Sequence, residues 1–301
     1  MKINKIVCVD NTKLKDWAVE ELQQYSEQGV DNHKDYPGSE EEVLNRIGDA
    51  EAVLVSWRTE LGEEIIRQCP NLKYIGMACS LYDDESANVA VNFAREQGIA
   101  VTGIRDYGDP GVIEFIISEL VRLLHGFGEQ QWKEMPVELT GRKIGIIGLG
   151  TTGQMLAECL LPFGADLHYF SRSRKPEWEE KGLKYLGLDE LLQESEIISL
   201  HLPKNTEILK SPEFAQFGEG KILVNTSLGL PFREDAFKKW LEKDGNYAIF
   251  DGDGGASLTE ETKNSSRLIA NPKSAGWSAE THQRLSEKVV RNLKAYLSAE
   301  S

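Results

Sequence analysis

Three glycines near the middle of the chain have the spacing of a phosphate-binding turn. Gly148, Gly150 and Gly153 follow a β-branched run that predicts a buried strand, and the apolar pattern of 154–161 predicts a helix. In this motif the first glycine permits a tight turn, the second lets backbone approach a pyrophosphate, and the third lets helix and strand pack closely. The motif favours a Rossmann-type dinucleotide site over a glycine-rich turn of another α/β domain. The predicted cofactor-binding residues of this turn are Gly148, Gly150, Thr151, Thr152 and Gly153.

The strand after this motif, predicted at 166–170, bears on which dinucleotide is bound. An NAD site usually has an acidic residue at the end of this strand, where it holds the ribose 2′-hydroxyl. Here Ser171, Arg172, Ser173 and Arg174 occupy that position. Hydroxyl donors and planar guanidinium groups suit a 2′-phosphate, so the segment predicts NADP as cofactor, with NAD still possible. The alternative is a solvated basic loop.

Strands and helices alternate along the whole chain. This rhythm predicts an α/β protein with two parallel-sheet domains, one flavodoxin-like and one Rossmann-like, and a cleft between them. A long helix opens at Gly108-Asp109-Pro110, with Asp109 as the predicted N-cap and Pro110 at the first helical position. The predicted domains are 1–107 plus 276–301 for the substrate and 108–275 for the cofactor. The predicted strands are 3–9, 52–56, 72–77, 99–101, 196–200, 221–226, 247–251 and 267–270, and the predicted helices include 14–25, 40–47, 62–68, 88–97 and one from Ser278.

Composition excludes several classes of partner. The 301 residues carry 34 Lys+Arg against 49 Asp+Glu, a net charge of −15, which argues against binding to nucleic acid or an anionic membrane. The four cysteines are scattered, without the paired spacing of a metal site. With no secretory signal and no membrane-spanning run, we expect a cytoplasmic, reduced protein without a metal.

Several motifs in a fixed order resemble the D-isomer-specific 2-hydroxyacid dehydrogenase family. The resemblance implies two domains with the active site in their cleft, and a homodimer joined largely through the cofactor domain. It also implies that Asp251 faces the nicotinamide amide. The further cofactor-binding residues that it implies are Leu202, Pro203, Thr226, Ser227 and Leu228. The segments that carry the resemblance are 72–76, 112–114, 139–153, 188–192, 200–203, 222–226, Asp251, 271–272 and 275–276.

The sequence departs from this family at the catalytic positions. The family uses an Arg for the substrate carboxylate and keto oxygen, a His for the proton, and a Glu that raises the pKa of the His. Leu228 stands at the position of the Arg, the segment 252–256 contains no Glu, and Lys273 stands at the position of the His. None of the five histidines falls at the family's position, and His201 is expected to line the adenine side.

The substrate-binding segments depart as well. The family's glycine-rich loop, whose amides hold the carboxylate, is replaced by Cys79, Ser80, Leu81 and Tyr82, which are the predicted substrate-binding residues. The following loop supplies Arg105 and Tyr107, a cation and a phenol that could polarise a carbonyl. For Cys79 the competing interpretation is a small buried hydrophobe, and for Arg105 and Tyr107 it is an ordinary polar loop.

Two function classes therefore stay open. The first is an NADP(H)-dependent oxidoreductase that transfers hydride between nicotinamide and a small carbonyl or hydroxy compound, with Lys273 as proton donor and Arg105 and Tyr107 as its helpers. A desolvated ammonium can act as acid or base near neutral pH; the competing interpretation of Lys273 is a solvated loop lysine. The second class is an inactive cofactor-binding homologue that acts as a redox sensor or scaffold.

Overall fold

Two compact units make up the computed structural model of this protein, which describes residues 2–84 and 86–299. Unit 1 comprises residues 1–107 and 278–301, and unit 2 comprises residues 108–277. Each unit contains one parallel β-sheet, so the predicted fold class of two parallel-sheet α/β domains is confirmed. The predicted division placed the second boundary at 276, two residues before Ser278.

The sheet of unit 1 has five parallel strands in the order β2-β1-β3-β4-β5. Alternate residues of each strand face opposite sides, so that Val7 packs with one apolar cluster while Ile6 and Cys8 pack with another. Both faces are therefore buried, as in other parallel sheets. The elements are β1 (Ile6–Cys8), α1 (Asp16–Gln23), β2 (Val30–Asn32), α2 (Glu40–Ile47), β3 (Ala52–Val55), α3 (Glu63–Arg67), β4 (Tyr74–Ser80), α4 (Val91–Glu96) and β5 (Ala100–Ile104).

Unit 2 contains a seven-stranded parallel sheet in the order β12-β11-β10-β9-β6-β7-β8. The direction of strand addition reverses between β6 and β9, and ligands of open parallel sheets bind beyond the carboxyl ends of strands at such a point. The elements are α5 (Asp109–His125), β6 (Lys143–Ile147), α6 (Thr151–Leu160), β7 (Asp166–Phe170), α7 (Pro176–Glu179), β8 (Lys184–Tyr185), α8 (Leu188–Glu194), β9 (Ile197–Leu200), α9 (Ser211–Phe217), β10 (Ile222–Asn225), α10 (Glu234–Leu241), β11 (Tyr247–Phe250), α11 (Glu260–Lys263) and β12 (Leu268–Ala270).

The last helix, α12 (Ala279–Ala299), belongs to unit 1. Its apolar stripe, which includes Leu285, Val289 and Leu293, packs in the same cluster as Ile6 and Tyr74. The last helix of the chain thus packs against the sheet that contains its first strands. Within residues 2–84 and 86–299, the structure contains no helix with the length and apolar character needed to cross a membrane.

Sequence patterns missed two short edge strands and misplaced one helix cap. β2 and β8 contain three and two residues and lack an apolar run, so nothing in the sequence marked them. The N-cap of α5 is Gly108, and Asp109 is the first helical residue, so the prediction of an Asp109 cap is wrong. The Asp109 carboxylate instead accepts a hydrogen bond from the Thr152 hydroxyl, which joins the first turns of α5 and α6.

Candidate active site and cofactor site

The glycine turn after β6 has the sterics that a phosphate cradle needs. A Cβ on Gly148 would lie 2.1 Å from the His201 carbonyl oxygen, and Gly148 has a φ of +96°. A Cβ on Gly153 would lie 2.2 Å from the Gly148 carbonyl oxygen, whereas the space beside Gly150 is open. Gly148 and Gly153 are thus required by packing, and Gly150 leaves room for a ligand to approach the backbone.

The N-terminus of α6 faces this turn with free backbone donors. Its N-cap is Gly150, and no side chain caps the first turn. Unpaired N–H groups and the helix dipole both favour a bound phosphate. Because the Thr152 hydroxyl is engaged with Asp109, Thr152 can offer a ligand only its backbone N–H, while Thr151 is exposed with its hydroxyl.

The basic segment after β7 divides into one engaged and one free arginine. The Arg174 guanidinium binds Glu179 through both Nε, at 3.0 Å, and Nη2, and it lies 5.4 Å from the centroid of Tyr185. Arg172 is exposed and makes no ion pair with a residue that the structure describes. Ser171 Oγ donates to the Ser173 carbonyl at 2.5 Å, which tightens the turn around Arg172.

The turns after β9 and β10 are joined by Ser227. Its hydroxyl donates to the Leu200 carbonyl at 3.1 Å and accepts from the Leu202 N–H at 3.1 Å, so it is satisfied within the fold. The neighbouring Leu228 is 49% exposed at the position where the family's Arg is expected. Leu202, Pro203, Thr226 and Leu228 thus border the carboxyl edge of the sheet, and Ser227 fixes the two turns that carry them.

His201 follows β9, and its Nε2 lies 2.9 Å from Ser199 Oγ. Burial lowers the pKa of the His201 imidazole to about 4. The imidazole is therefore neutral near pH 7 and has no proton to give as an imidazolium. Its predicted place beside an adenine stays a prediction.

Asp251 holds together the turns that follow β11 and β12. Its two carboxylate oxygens accept the N–H groups of Gly254 and Ala275, both at 2.8 Å, and the residue is 2% exposed. Burial raises the pKa of this carboxyl group, although the hydrogen bonds from the two backbone N–H groups act to lower it. A second link forms where Ser274 Oγ donates to Asp253. The arrangement fixes the segment that contains Lys273.

Lys273 has a fixed backbone and a free side chain. Its N–H donates to Asn271 Oδ1 at 2.9 Å, and its carbonyl accepts the Gly252 N–H at 2.9 Å. A Cβ on Gly252 would lie 2.7 Å from the Pro272 carbonyl oxygen, so this turn tolerates only glycine there. The Lys273 side chain is exposed and makes no ion pair with a described residue. The backbone of Lys273 is therefore held in place, while its ammonium group is free to reach a ligand.

In unit 1, the predicted substrate segment and Arg105 lie together at the carboxyl ends of β4 and β5. Arg105 donates to the carbonyls of Leu81 at 2.7 Å and Tyr82 at 2.8 Å, and its guanidinium lies 5.2 Å from the centroid of the Tyr82 ring. These bonds make Arg105 a clamp for the loop. Ser80, the last residue of β4, precedes this loop. Tyr107 packs on the apolar cluster beneath α12.

Cys79 belongs to the core of unit 1. It is 4% exposed, and burial raises the pKa of its thiol to about 12. Its Sγ lies 3.5 Å from Asn88 Oδ1. A thiol of this kind is neither ionised nor accessible at neutral pH. Cys79 is therefore a small buried side chain of the core and not a nucleophile.

A polar network that sequence reasoning missed organises the loop after β3. The fully buried Asp10 carboxylate accepts Ser56 N–H at 2.9 Å, Ser56 Oγ at 2.6 Å and Thr59 Oγ1 at 2.6 Å. Asn88 Nδ2 donates to the carbonyls of Ser56 at 2.8 Å and Thr59 at 2.5 Å. The signal available in the sequence was the position of Ser56 directly after β3 and of Asp10 two residues after β1.

This network presents an exposed cation between two aromatic rings. The Arg58 guanidinium lies 5.0 Å from the centroid of Tyr36 and 5.2 Å from that of Trp57, and Trp57 is 55% exposed. Arg58 makes no ion pair with a described residue. Unlike Arg105, it keeps its guanidinium N–H groups available for an anion.

The fold and the site together define a class: a two-unit α/β protein with a dinucleotide cradle at the switch point of its larger sheet. Comparisons with known proteins narrow that class. Residues 117–273 match the model of the D-isomer specific 2-hydroxyacid dehydrogenase, NAD binding domain. The chain belongs to the D-isomer specific 2-hydroxyacid dehydrogenase family, as its motifs predicted.

The relatives agree with this assignment. A hydroxypyruvate reductase of Blautia hydrogenotrophica is 33% identical over 208 residues, which cover 63% of each chain. A glyoxylate reductase of Thermococcus litoralis is 28% identical over 289 residues, covering 86% of this chain and 84% of that protein. Among solved structures, the TT0316 protein of Thermus thermophilus has the same fold, with a TM-score of 0.82, 22% identity, and coverage of 98% of this chain and 97% of that one. At the level of class, the chain is an oxidoreductase with a nicotinamide-cofactor domain.

Proposed function

We propose that this protein is an NADP(H)-dependent oxidoreductase that transfers hydride between nicotinamide and a small carbonyl or hydroxy compound, with Lys273 as its proton donor. The observation that carries the proposal is the cradle of Gly148, Gly150 and the uncapped N-terminus of α6, followed by an unpaired Arg172. The names of the relatives, hydroxypyruvate reductase and glyoxylate reductase, support the substrate class. Oxidation of NADPH, followed by the absorbance of its reduced nicotinamide with a panel of 2-oxo acids, aldehydes and ketones, tests it directly.

The residues present fit a nicotinamide dinucleotide. Gly148, Gly150 and the N–H groups of α6 would hold the pyrophosphate, and Arg172 with the Ser173 hydroxyl would hold a 2′-phosphate. The Ser171 hydroxyl, which donates to the Ser173 carbonyl, would fix the turn that carries them. The bound cofactor supplies hydride to the carbonyl carbon. The remaining requirement falls on the protein: an alkoxide oxygen forms, and a nearby acid must protonate it. Lys273 Nζ is proposed to give that proton.

The substrate carboxylate needs a new partner, because Leu228 replaces the family's Arg. Arg105 is engaged with two carbonyls of its own loop, whereas Arg58 lies on a loop held rigid by Asp10 and keeps its donors free. We propose that Arg58, rather than Arg105, is the arginine of unit 1 that is available to bind an anionic group.

Simple 2-oxo acids are therefore expected to be poor substrates, and Leu228→Arg should improve them. The exposed Leu228 tolerates the longer side chain. A charge-assisted hydrogen bond contributes about 1.5–3 kcal/mol, so kcat/KM for glyoxylate should rise about 10-fold or more. Leu228→Gln is the matched control, which adds length without charge. A wild-type turnover of glyoxylate above about 1 per second would show that another group already replaces the Arg.

A second function is favoured by the lost catalytic residues themselves. With Leu228, the Glu-free segment 252–256 and Lys273 in place of the family's three residues, the chain could bind the cofactor without turning it over, as a redox sensor or scaffold. That function requires tight NADPH binding together with no oxidation on the carbonyl panel. The sensor or scaffold function would be excluded by any substrate that the protein turns over, provided that a cofactor-site variant abolishes this turnover.

We also propose that the protein is a homodimer, formed through α5. A groove of about 670 Å³ runs along this helix and over Cys159 and Phe163. Its floor is apolar, with Ile117 and Val121 as its centre. Glu114 and Arg122 lie two helical turns apart at opposite ends of the groove, so antiparallel pairing of two copies about a two-fold axis would bring opposite charges together.

The dimer proposal predicts the effect of a charge in this groove. The wild-type chain should have twice its chain mass in light scattering coupled to gel filtration. Val121→Glu would bury a carboxylate in the centre of the interface and should give monomers at micromolar concentration. Ser118→Glu, at the polar side of the same groove, is the control and should have a smaller effect. Val101→Glu is unsuitable as a control, because Val101 packs against the core. A monomeric wild-type protein would contradict the proposal.

A further inference from the structure

We propose that unit 1 contains a separate binding pocket for a small phosphate-type anion, at the carboxyl ends of β1 and β2. A cavity of about 200 Å³ opens there, and all of its lining residues except His282 lie within residues 11–34, far in sequence from the glycine turn. Drug-sized ligands occupy cavities of roughly 300–1,000 Å³, so this one suits an ion or a metabolite of few atoms. The residues that line it are Asn11, Thr12, Lys13, Leu14, Lys15, Asn32, Lys34 and His282.

The pocket concentrates positive charge in a chain whose net charge is −15. Three lysines line it. Lys34 pairs with Asp16 at 3.2 Å, but the side chains of Lys13 and Lys15 make no hydrogen bond or ion pair with residues 2–84 or 86–299. Two carboxylates lie near its rim, those of Asp16 and Glu280. The pKa of Glu280 is lowered by hydrogen bonds from its own backbone N–H and from Ser278, and to a smaller extent by the charges of Arg284 and Lys15. The ammonium groups outnumber these carboxylates, so the cavity attracts anions.

Two of these lysines, Lys13 and Lys15, affect the imidazole of His282, which also lines the pocket. Burial, and then the charges of Lys15 and Lys13, lower the pKa of His282. No arginine lines the cavity. Lysines act as point charges toward an oxyanion such as phosphate, without the planar geometry that an arginine fork imposes.

The loop that carries the lysines is fixed before any ligand arrives. Asn11 accepts the Lys13 N–H at 3.4 Å and donates to the Lys34 carbonyl at 2.9 Å. Lys13 adopts a left-handed backbone with a φ of 61°, which is uncommon for a residue with a side chain. The Lys15 N–H donates to Ser286 Oγ of α12 at 2.9 Å. Because the loop is already ordered, binding costs little further conformational entropy.

Amide donors complete the pocket. The Asn32 side chain, at the end of β2, makes no hydrogen bond with the described residues and lines the cavity. The first turn of α1 follows Lys15, whose side chain does not cap it, so backbone N–H groups lie beside the lysines. Lysines on two sides, an unpaired amide and a helix N-terminus together form a binding site for a tetrahedral oxyanion.

The position of His282 gives the pocket a route to regulation. It lies in the first turn of α12, five residues after Trp277, where the chain passes from unit 2 to unit 1, and nine residues after Lys273. An anion that orders this turn lowers the free energy of one conformation of the segment between the two units. We therefore expect the ligand to be an effector rather than a substrate.

The test is calorimetric titration of the full chain with inorganic phosphate at constant ionic strength. It is run with Arg172→Ala in the presence of saturating NADH, so that neither the proposed 2′-phosphate site nor the proposed pyrophosphate cradle binds phosphate itself. One saturable site is expected. Lys13→Gln together with Lys15→Gln should weaken it at least about tenfold, whereas Lys2→Gln with Lys239→Gln, which changes the net charge equally, should not. A second titration uses glycerol 3-phosphate in place of inorganic phosphate. Tighter binding of glycerol 3-phosphate would indicate a phosphorylated metabolite as the ligand, and tighter binding of phosphate would indicate the free ion.

Hydrogen exchange gives a second, independent measurement. Phosphate should slow exchange of the amides of 278–286 in the wild-type chain and in the Lys2→Gln/Lys239→Gln control, and not in the Lys13→Gln/Lys15→Gln variant. Absence of saturable binding, or equal affinity in both double variants, would overturn the proposal. These results do not depend on turnover, so they stand apart from the success or failure of the proposed reductase activity.

Discussion

Replacing Lys273 by Met is expected to lower turnover about 100-fold or more, as loss of a general acid does. Met keeps the length of the side chain and removes its proton. Hydride transfer to a carbonyl leaves an alkoxide, and without a donor the reaction must recruit water. The backbone of Lys273 is held by Asn271 on one side and Gly252 on the other, so the substitution should not move the loop. NADPH affinity should therefore stay nearly unchanged.

The measurement is steady-state kinetics on the best substrate of the carbonyl panel, with cofactor affinity from fluorescence titration. Lys239→Met, an exposed lysine on α10, is the matched control and should leave kcat unaltered. Lys273→Arg keeps a charge at the site, but arginine gives up its proton far less readily. The kcat of Lys273→Arg should therefore lie between those of Lys273→Met and Lys239→Met. An undiminished rate in Lys273→Met would exclude Lys273 as the donor and leave Tyr107 or a bound water.

Two other titratable groups can be separated from this role by pH. The pKa of His201 is lowered to about 4, so its acid form is present below that pH and absent near neutrality. The pKa of Cys79 is raised to about 12, so its thiol stays protonated up to that range. An inflection of the kcat profile between about pH 6 and 10 would therefore arise from neither group, and Lys273→Met should remove it if Lys273 causes it.

The fold was predictable because its signals are local and repeated. Buried strands such as β3 and β10 are short runs of apolar residues, and parallel sheets need such runs on every interior strand. The edge strands β2 and β8 bury little, so their sequences carry no such pattern. The Asp109 cap was misplaced because a carboxylate suits both the cap and the first turn of a helix. The bond to Thr152, 43 residues away, decides between them.

The candidate site was predictable in position but not in pairing. Each arginine of the segment after β7 looks equally suited to a phosphate in the sequence. Only the fold brings Glu179 to Arg174, and only the fold brings the Leu81 and Tyr82 carbonyls to Arg105. The reverse holds for Arg58, an unremarked residue in the sequence, which the buried Asp10 network places on a rigid loop. Partners distant in the chain decide which cations stay free.

Arg172 is free whereas Arg174 is paired with Glu179, and this difference predicts which of the two arginines determines cofactor choice. Wild-type protein should bind NADPH more tightly than NADH. Arg172→Ala should lower that preference about 10- to 150-fold, since a charge-assisted hydrogen bond contributes about 1.5–3 kcal/mol. Arg174→Ala should change it much less, because Glu179 already occupies the Arg174 guanidinium.

The two single variants are matched in residue type, loop and exposure, so the comparison isolates the effect of the Glu179 pair. Dissociation constants for both cofactors, measured at fixed ionic strength, give the preference directly, and NADH affinity should be nearly constant across the three proteins. Glu179→Gln should release Arg174. In the Glu179→Gln background, Arg174→Ala should therefore lower the preference for NADPH more than it does in the wild-type background. Equal affinity of the wild-type protein for NADPH and NADH would contradict the assignment, and so would a larger loss from Arg174→Ala than from Arg172→Ala, because the paired arginine would then be the one that binds the phosphate.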